Sequence, residues 1–361
     1  MALRDLRFAK GRFALMGSVV LLITLLVTML SGLTAGLARD SASAVENLPA
    51  DRIVFGTGDG ETSFSESRID QATMKGWQDV AGVTAEPLGI SMNRISFGPA
   101  GDRGAPVALF GAAPDGREAT GNARHSLPSG QIVLSAELSE STGLAAGDGV
   151  QIAGQRFAVA GTGEASSYSH TPVAWIGVDD WRALSPEGGD AQRQAATVLL
   201  LDVTGKPDLD AADQRLGTTT IAQGDAKSAI PSFSAENGSL QLMRGFLFAI
   251  SALVIGAFFT VWTIQRRGDV AVLKALGAST GYLLRDALAQ AVLVLLAGAG
   301  LGGAIGALAG FAIGDGVPFV VSAATTLFPV AVMIALGAVG AALAIRKITF
   351  VDPLTALGAA R

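Results

Sequence analysis

The chain has no cysteine, only two histidines and only 16% charged residues. Without Cys there can be neither disulfides nor thiolate metal sites. The histidines, His125 and His170, stand in Ser/Pro-containing loops without HExxH-like spacing; both read as solvated loop residues rather than ligands. The phosphate-binding pattern GxxxxGK[ST] is also missing, since Gly205-Lys206 runs into Pro207. ATP hydrolysis is therefore not expected in this chain. Hydroxyls precede an imidazole in Ser166-Ser167-Tyr168-Ser169-His170, but a nucleophilic triad is defined by spatial roles, not adjacency. No enzyme activity is expected, and no long basic block invites nucleic acid. The shortage of charge is the most informative absence. Soluble domains carry about 25% charged residues, whereas half of this chain is hydrophobic. Much of it belongs in a membrane.

What charge there is lies segregated. Between Asp40 and Asn237 there are 26 acidic and 13 basic residues, leaving 5 acidic and 13 basic elsewhere. That pattern suits an acidic part outside the cell and basic ends retained in the cytoplasm. Phe13 to Leu37 carries no charge and is preceded by Arg4, Arg7, Lys10 and Arg12. It is long enough for a spanning helix, which needs about 20 residues; a cleaved signal peptide is the alternative, because Ala-Gly-Leu-Ala before Arg39 loosely resembles a cleavage site. The predicted organisation is a cytoplasmic amphipathic stretch at 1–12, lying against lipid headgroups, and a first span at 13–39. An extracytoplasmic α/β domain follows at 40–239, with a β-rich insert around 112–190 between two halves of a βαβ-like unit. A second span is expected at 240–265, a cytoplasmic connector at 266–284, a third span at 285–313, an external turn at 314–322, a fourth span at 323–345 and a cytoplasmic tail at 346–361. The fold class is thus an α-helical membrane protein of 1 + 3 spans with a large mixed α/β domain after the first. The third span repeats glycine at 298, 302, 306 and 310, a spacing that lets helix backbones approach closely.

The connector, RRGDVAVLKALGAS from Arg266 to Ser279, is a charged stretch between two apolar spans. Its sequence predicts a brief amphipathic helix with Val270, Leu273, Ala275 and Leu276 available to a partner, broken by Gly277-Ala278-Ser279. Three stretches resemble the FtsX-like, MacB-type permeases of ATP-binding cassette (ABC) systems: this connector, VDPLTALG at 351–358, and LSAELSESTGLAAGDGVQIAGQRFAVAGTGE in the outside domain. Asp269 stands where that family usually has Glu. The resemblance implies a multi-pass protein of the cell membrane with both termini in the cytoplasm. It also implies a homodimer of permeases served by two copies of a cytoplasmic ABC ATPase that uses the ATP, with motion relayed outward. By the same resemblance Asp269, Val270, Leu273, Lys274 and Leu276 face the ATPase, and Asp352 and Pro353 help to dock it.

The opening 38 residues and AIPSFSAENGSLQLMRGFL at 229–247 are similar to the haem-exporting, DevC-like branch of these permeases. The resemblance implies haem as cargo, with no resident cofactor. Met29 and Met243, near the outer ends of the first two spans, and Glu46 and Glu236, just beyond them, are candidate donors to ferric iron. Arg39 and Arg244 are candidate partners for the propionates. Two other functions remain open at this point: export of another amphiphile such as an antibiotic, peptide or lipid-linked cargo, and FtsX-type signalling to a cell-wall hydrolase.

Overall fold

The computed structural model describes residues 10–56, 62–99, 101–113, 127–184, 194–265, 268, 272–274, 276–313 and 317–349. The chain divides into two compact units, one of 1–37 and 238–361 and the other of 38–237.

Four helices are long and apolar enough to cross a membrane: Phe13–Glu46, Pro231–Gln265, Gly281–Ile313 and Ala323–Ala344. They belong to α1 (Lys10–Glu46), α6 (Pro231–Gln265), α7 (Thr280–Ile313) and α8 (Ala323–Thr349). Their hydroxyls mostly bond back into the helix: Ser251 donates to the Leu247 carbonyl and Thr263 to that of Phe259. This leaves few polar groups to face lipid. Val20, Val27, Phe259, Leu295 and Met333 make a buried apolar seam inside the bundle.

The glycine repeat of α7 packs against α1. A Cβ at Gly298 would lie 2.8 Å from the Gly17 carbonyl oxygen, and one at Gly302 would lie 2.4 Å from that of Leu21. A Cβ at Gly306 would press on the Thr28 methyl at 3.0 Å. In lipid no hydrophobic force drives helices together, so contact at this range is a main source of association.

The inserted unit is α+β. Its smaller helices are α2 (Gln71–Gln78), α3 (Ala136–Thr142), α4 (Val178–Ala183) and α5 (Leu209–Leu216). The strands are β1 (Arg52–Phe55), β2 (Ile69–Asp70), β3 (Val83–Phe97), β4 (Arg103–Ala112), β5 (Gln131–Leu134), β6 (Gly149–Ile152), β7 (Gln155–Thr162), β8 (Ser167–Tyr168), β9 (Thr171–Gly177), β10 (Gln194–Ala196), β11 (Val198–Val203) and β12 (Thr219–Ala222). The main sheet runs β12-β1-β11-β3-β4-β9-β5-β7-β6, and β6 returns to pair with β3 at Ile95–Ile152. Six strands from β3 to β6 therefore close into a barrel, filled by Ile95, Val107, Leu109, Ile132, Ile152 and Phe157. Closure removes the exposed edges that such short strands would otherwise present.

One expectation changes here. The β-rich segment is not a separate insert, because its strands share β3 and β4 with the rest of the sheet. The flanking parts are βαβ-like in the split form: β1 and β3 run parallel on either side of β11 and are joined through α2, and β11 and β12 run parallel on either side of β1 and are joined through α5. β3 and β4 form a hairpin, in register from Phe97–Arg103 onward.

Short helices start where the sequence supplies acceptors. Asp70 caps α2 by accepting the Thr73 amide at 2.7 Å, and this bond holds its carboxyl below the usual range. Ser135 and Asp208 serve α3 and α5 in the same way. The end of α1 (Ala42, Val45, Leu48) and the start of α6 (Ile230, Phe233) are buried in this unit's own core, against Phe55, Leu88, Phe110 and Trp175.

Candidate functional site

The connector at 266–279, the C-terminal part of α1 and the N-terminal part of α6 carry the residues singled out for function. In the connector, Gly268 and 272–274 are helical. The Gly277 amide donates to the Lys274 carbonyl and the Ala278 amide to that of Leu273, with Gly277 at φ +92°. This is the Schellman arrangement, in which the left-handed position favours glycine. Ser279 then caps α7, its Oγ accepting the Tyr282 amide. The break read at Gly277-Ala278-Ser279 is therefore a helix stop followed two residues later by a helix start. Leu273 is 41% exposed and Leu276 79% exposed; Val272, not singled out by sequence, is exposed beside them. Asp269, Val270, Ala275, Asp352 and Pro353 lie outside the described residues.

At the end of α1 and the start of α6, both candidate carboxylates already have partners. Glu46, the last residue of α1, receives the Lys227 ammonium at 2.8 Å. Glu236, in the second turn of α6, has its Oε2 2.9 Å from His170 Nε2. Arg39 is exposed, and Arg244 donates to Gln241 Oε1. Met29 is half-buried and Met243 is 57% exposed. Spacing along the helices limits what can act together. Met29 and Glu46 stand seventeen residues apart on α1, about 25 Å of helix. One iron cannot take both from one chain. Glu236 and Met243 are seven residues apart on α6, about 10 Å and on one face.

Lys227 and His170 were missed as partners because nothing in sequence ties positions 181 and 66 residues away to these carboxylates. His170 is not simply a solvated loop residue. It sits with Ser169 in the two-residue turn between β8 and β9, both at positive φ (+50° and +61°). Such turns prefer Asn-Gly, and a side chain there costs about 1–2 kcal/mol per residue. The turn is held by its surroundings. The amides of Ser169 and His170 donate to the Ser41 and Asp40 carbonyls, Ser169 Oγ lies 2.8 Å from Ser232 Oγ, and the Ser167 amide donates to Ser43 Oγ. One hairpin thus grips the end of α1 and the start of α6 within the inserted unit.

Comparison with known proteins now gives the class. Residues 242–353 match the family of the FtsX-like permease C-terminal domain. Over 99% of its length, and 99% of theirs, the chain is 25% identical to a protein of Staphylococcus haemolyticus named as the hemin transport system permease protein HrtB, and 24% identical to its namesake in Staphylococcus epidermidis. It is 24% identical to an ABC transporter permease of Mycobacterium bovis, across 99% of this chain and 98% of that one. The periplasmic region of MacB from Actinobacillus actinomycetemcomitans superposes on half of the chain with a TM-score of 0.36 and 12% identity. The chain is thus similar along its whole length to permeases of the ABC transporter class. It carries an FtsX-like permease domain in its last three spans.

Proposed function

We propose that this chain is the permease of an ABC exporter that moves haem outward from the membrane, driven by two copies of a cytoplasmic ATPase. The observation that carries the reading is end-to-end similarity to permeases named for hemin transport. In this reading the ATPase docks on the exposed apolar side chains of the connector, Leu273 and Leu276, with Asp269, Val270, Lys274, Asp352 and Pro353 around them. Basic residues flanking the spans keep both termini inside, and residues 40–239 lie outside. Two permeases form a homodimer, embedded in lipid, that doubles every ligand.

Movement need not open a pore. Because the end of α1 and the start of α6 are packed into the outside domain's core, a displacement of these helices acts on that domain directly. Haem is handled at two levels. The thioethers of Met29 and Met243 serve iron within the outer part of the bundle. The carboxylates of Glu46 and Glu236 serve it where the helices enter the outside domain, with Arg39 and Arg244 for the propionates. Glu46 and Glu236 must first leave Lys227 and His170. That exchange is easy: ion pairs this exposed contribute about 0–1 kcal/mol, less than a charge-assisted ligand bond gains.

Haemin titration of the purified protein tests the reading. A saturable shift of the Soret band is expected in wild type, weakened about tenfold or more in Glu46→Ala and Met243→Ala. Absence of any saturable shift above empty micelles would reject haem as cargo and leave another amphiphile as the substrate.

A further inference from the structure

The inserted unit contains a cavity of about 1170 Å³ that the helix-end residues do not explain. Its apolar wall includes Phe64, Ile90, Met92 and Trp181, and Arg68 and Tyr168 add polar groups to it. Tyr168 is 6% exposed, and its ring packs edge-on against Phe64 and Phe110. Its hydroxyl has no hydrogen-bond partner among the described residues. The oxygen is not among the buried unsatisfied side-chain atoms of the described residues, which are those of Thr24, Thr28 and Ser31, so it opens to solvent in the cavity and is free to meet a ligand. Burial also pushes the Tyr168 phenol up to about 12, so it is a donor at any physiological pH. Arg68 spends its Nη1 on the carbonyls of Ser65 and Ser67. No carboxylate pairs with it among the described residues, so its charge is available to an anion. Asp70, the acid on the same wall, is committed to capping α2.

We propose that this cavity is a second binding site, in the outside domain, for a planar apolar molecule bearing carboxylates: the apolar wall takes the body, and Arg68 and the Tyr168 hydroxyl take the acid groups. The proposal rests on the haem-export reading for its ligand class, and assigns the outside domain a hold on cargo after it leaves the membrane. Recognition here is by shape and carboxylate, without iron. The volume lies just above the range of about 300–1000 Å³ usual for drug-sized ligands, which leaves room for a larger planar molecule. Ser169 and Ser232, which join the β8–β9 hairpin to α6, also line the cavity. An occupant therefore touches the same hairpin that holds the two helix ends.

The test is equilibrium binding of haemin and of iron-free protoporphyrin to the full-length protein in one detergent. Wild type should show a site that accepts both, alongside one that needs iron. Arg68→Gln should weaken protoporphyrin binding about tenfold, as loss of a charge-assisted bond predicts, and Tyr168→Phe about fivefold. Both variants should leave the iron-dependent site unchanged; Glu46→Ala should do the reverse. Phe is isosteric and keeps the packing, so misfolding does not confound that variant. Protoporphyrin binding equal in wild type, Arg68→Gln and Tyr168→Phe overturns the cavity proposal while leaving haem export standing. Failure of both porphyrins to bind overturns the ligand class together with the export reading.

Discussion

Replacing Gly302 by alanine should destabilise the helix bundle, whereas the same change at Gly300, two residues away, should not. An added Cβ at Gly302 would stand 2.4 Å from the Leu21 carbonyl oxygen, 3.0 Å from Thr24 Cβ and 3.1 Å from the Leu25 amide nitrogen. The nearest atom is backbone, which cannot rotate away as a side chain can. Ordinary contact begins near 3.4 Å, so α1 and α7 must separate by about 1 Å, and separation on that scale forfeits a quarter to a half of each contact's dispersion energy. Overpacking of this kind costs about 1–3 kcal/mol. Around Gly300 nothing lies within 4 Å. There alanine only improves helix propensity, worth up to about 1 kcal/mol. The two variants should thus differ by roughly 2–4 kcal/mol. Thermal or denaturant unfolding of both proteins in the same detergent measures this, with Gly298→Ala expected to follow Gly302→Ala. If Gly302→Ala and Gly300→Ala unfold together, the tight α1–α7 seam is wrong.

Other outcomes follow from the same geometry. Leu273→Glu should insert and fold normally but lose stimulation of the partner ATPase and export; undiminished stimulation would remove the connector from the docking surface. Tyr168 has its folded pKa raised above the ordinary tyrosine value, so the stability that it contributes is complete below pH 10. As pH rises from 10 through about 12, on the order of 2–3 kcal/mol should be lost. The chain has two tyrosines, Tyr168 and Tyr282. Phenolate absorbance of wild type against Tyr168→Phe therefore isolates this one, and ionisation of Tyr168 near pH 10 would show that it is not buried.

The helices that cross the membrane were legible because lipid leaves backbone only one way to satisfy itself: long, uncharged runs must be helical. The connector was legible for a local reason, since Gly277 at positive φ and Ser279 as a cap act through neighbours two to five residues away. Single strands such as β4 and β5 could be placed from their runs of apolar residues. Their pairing could not. The closure of β6 onto β3 joins Ile152 to Ile95 across more than fifty residues, and the two βαβ-like halves interleave only because β11 returns between β1 and β3.

The candidate site divides along the same line. Chain chemistry alone marked Glu46, Glu236, Met29 and Met243 as candidate donors, and determined that no phosphate loop or thiolate is available. Tertiary structure alone decided that Glu46 meets Lys227 and that Glu236 meets His170. Helix rise, by contrast, needs no tertiary contact to set Met29 some 25 Å along α1 from Glu46. The Tyr168 hydroxyl, one unremarked letter in a serine-rich stretch, became a cavity group only when a strained hairpin was clamped between two helix ends. Such contacts depend on where the chain returns in space, and residue type and spacing do not encode that return.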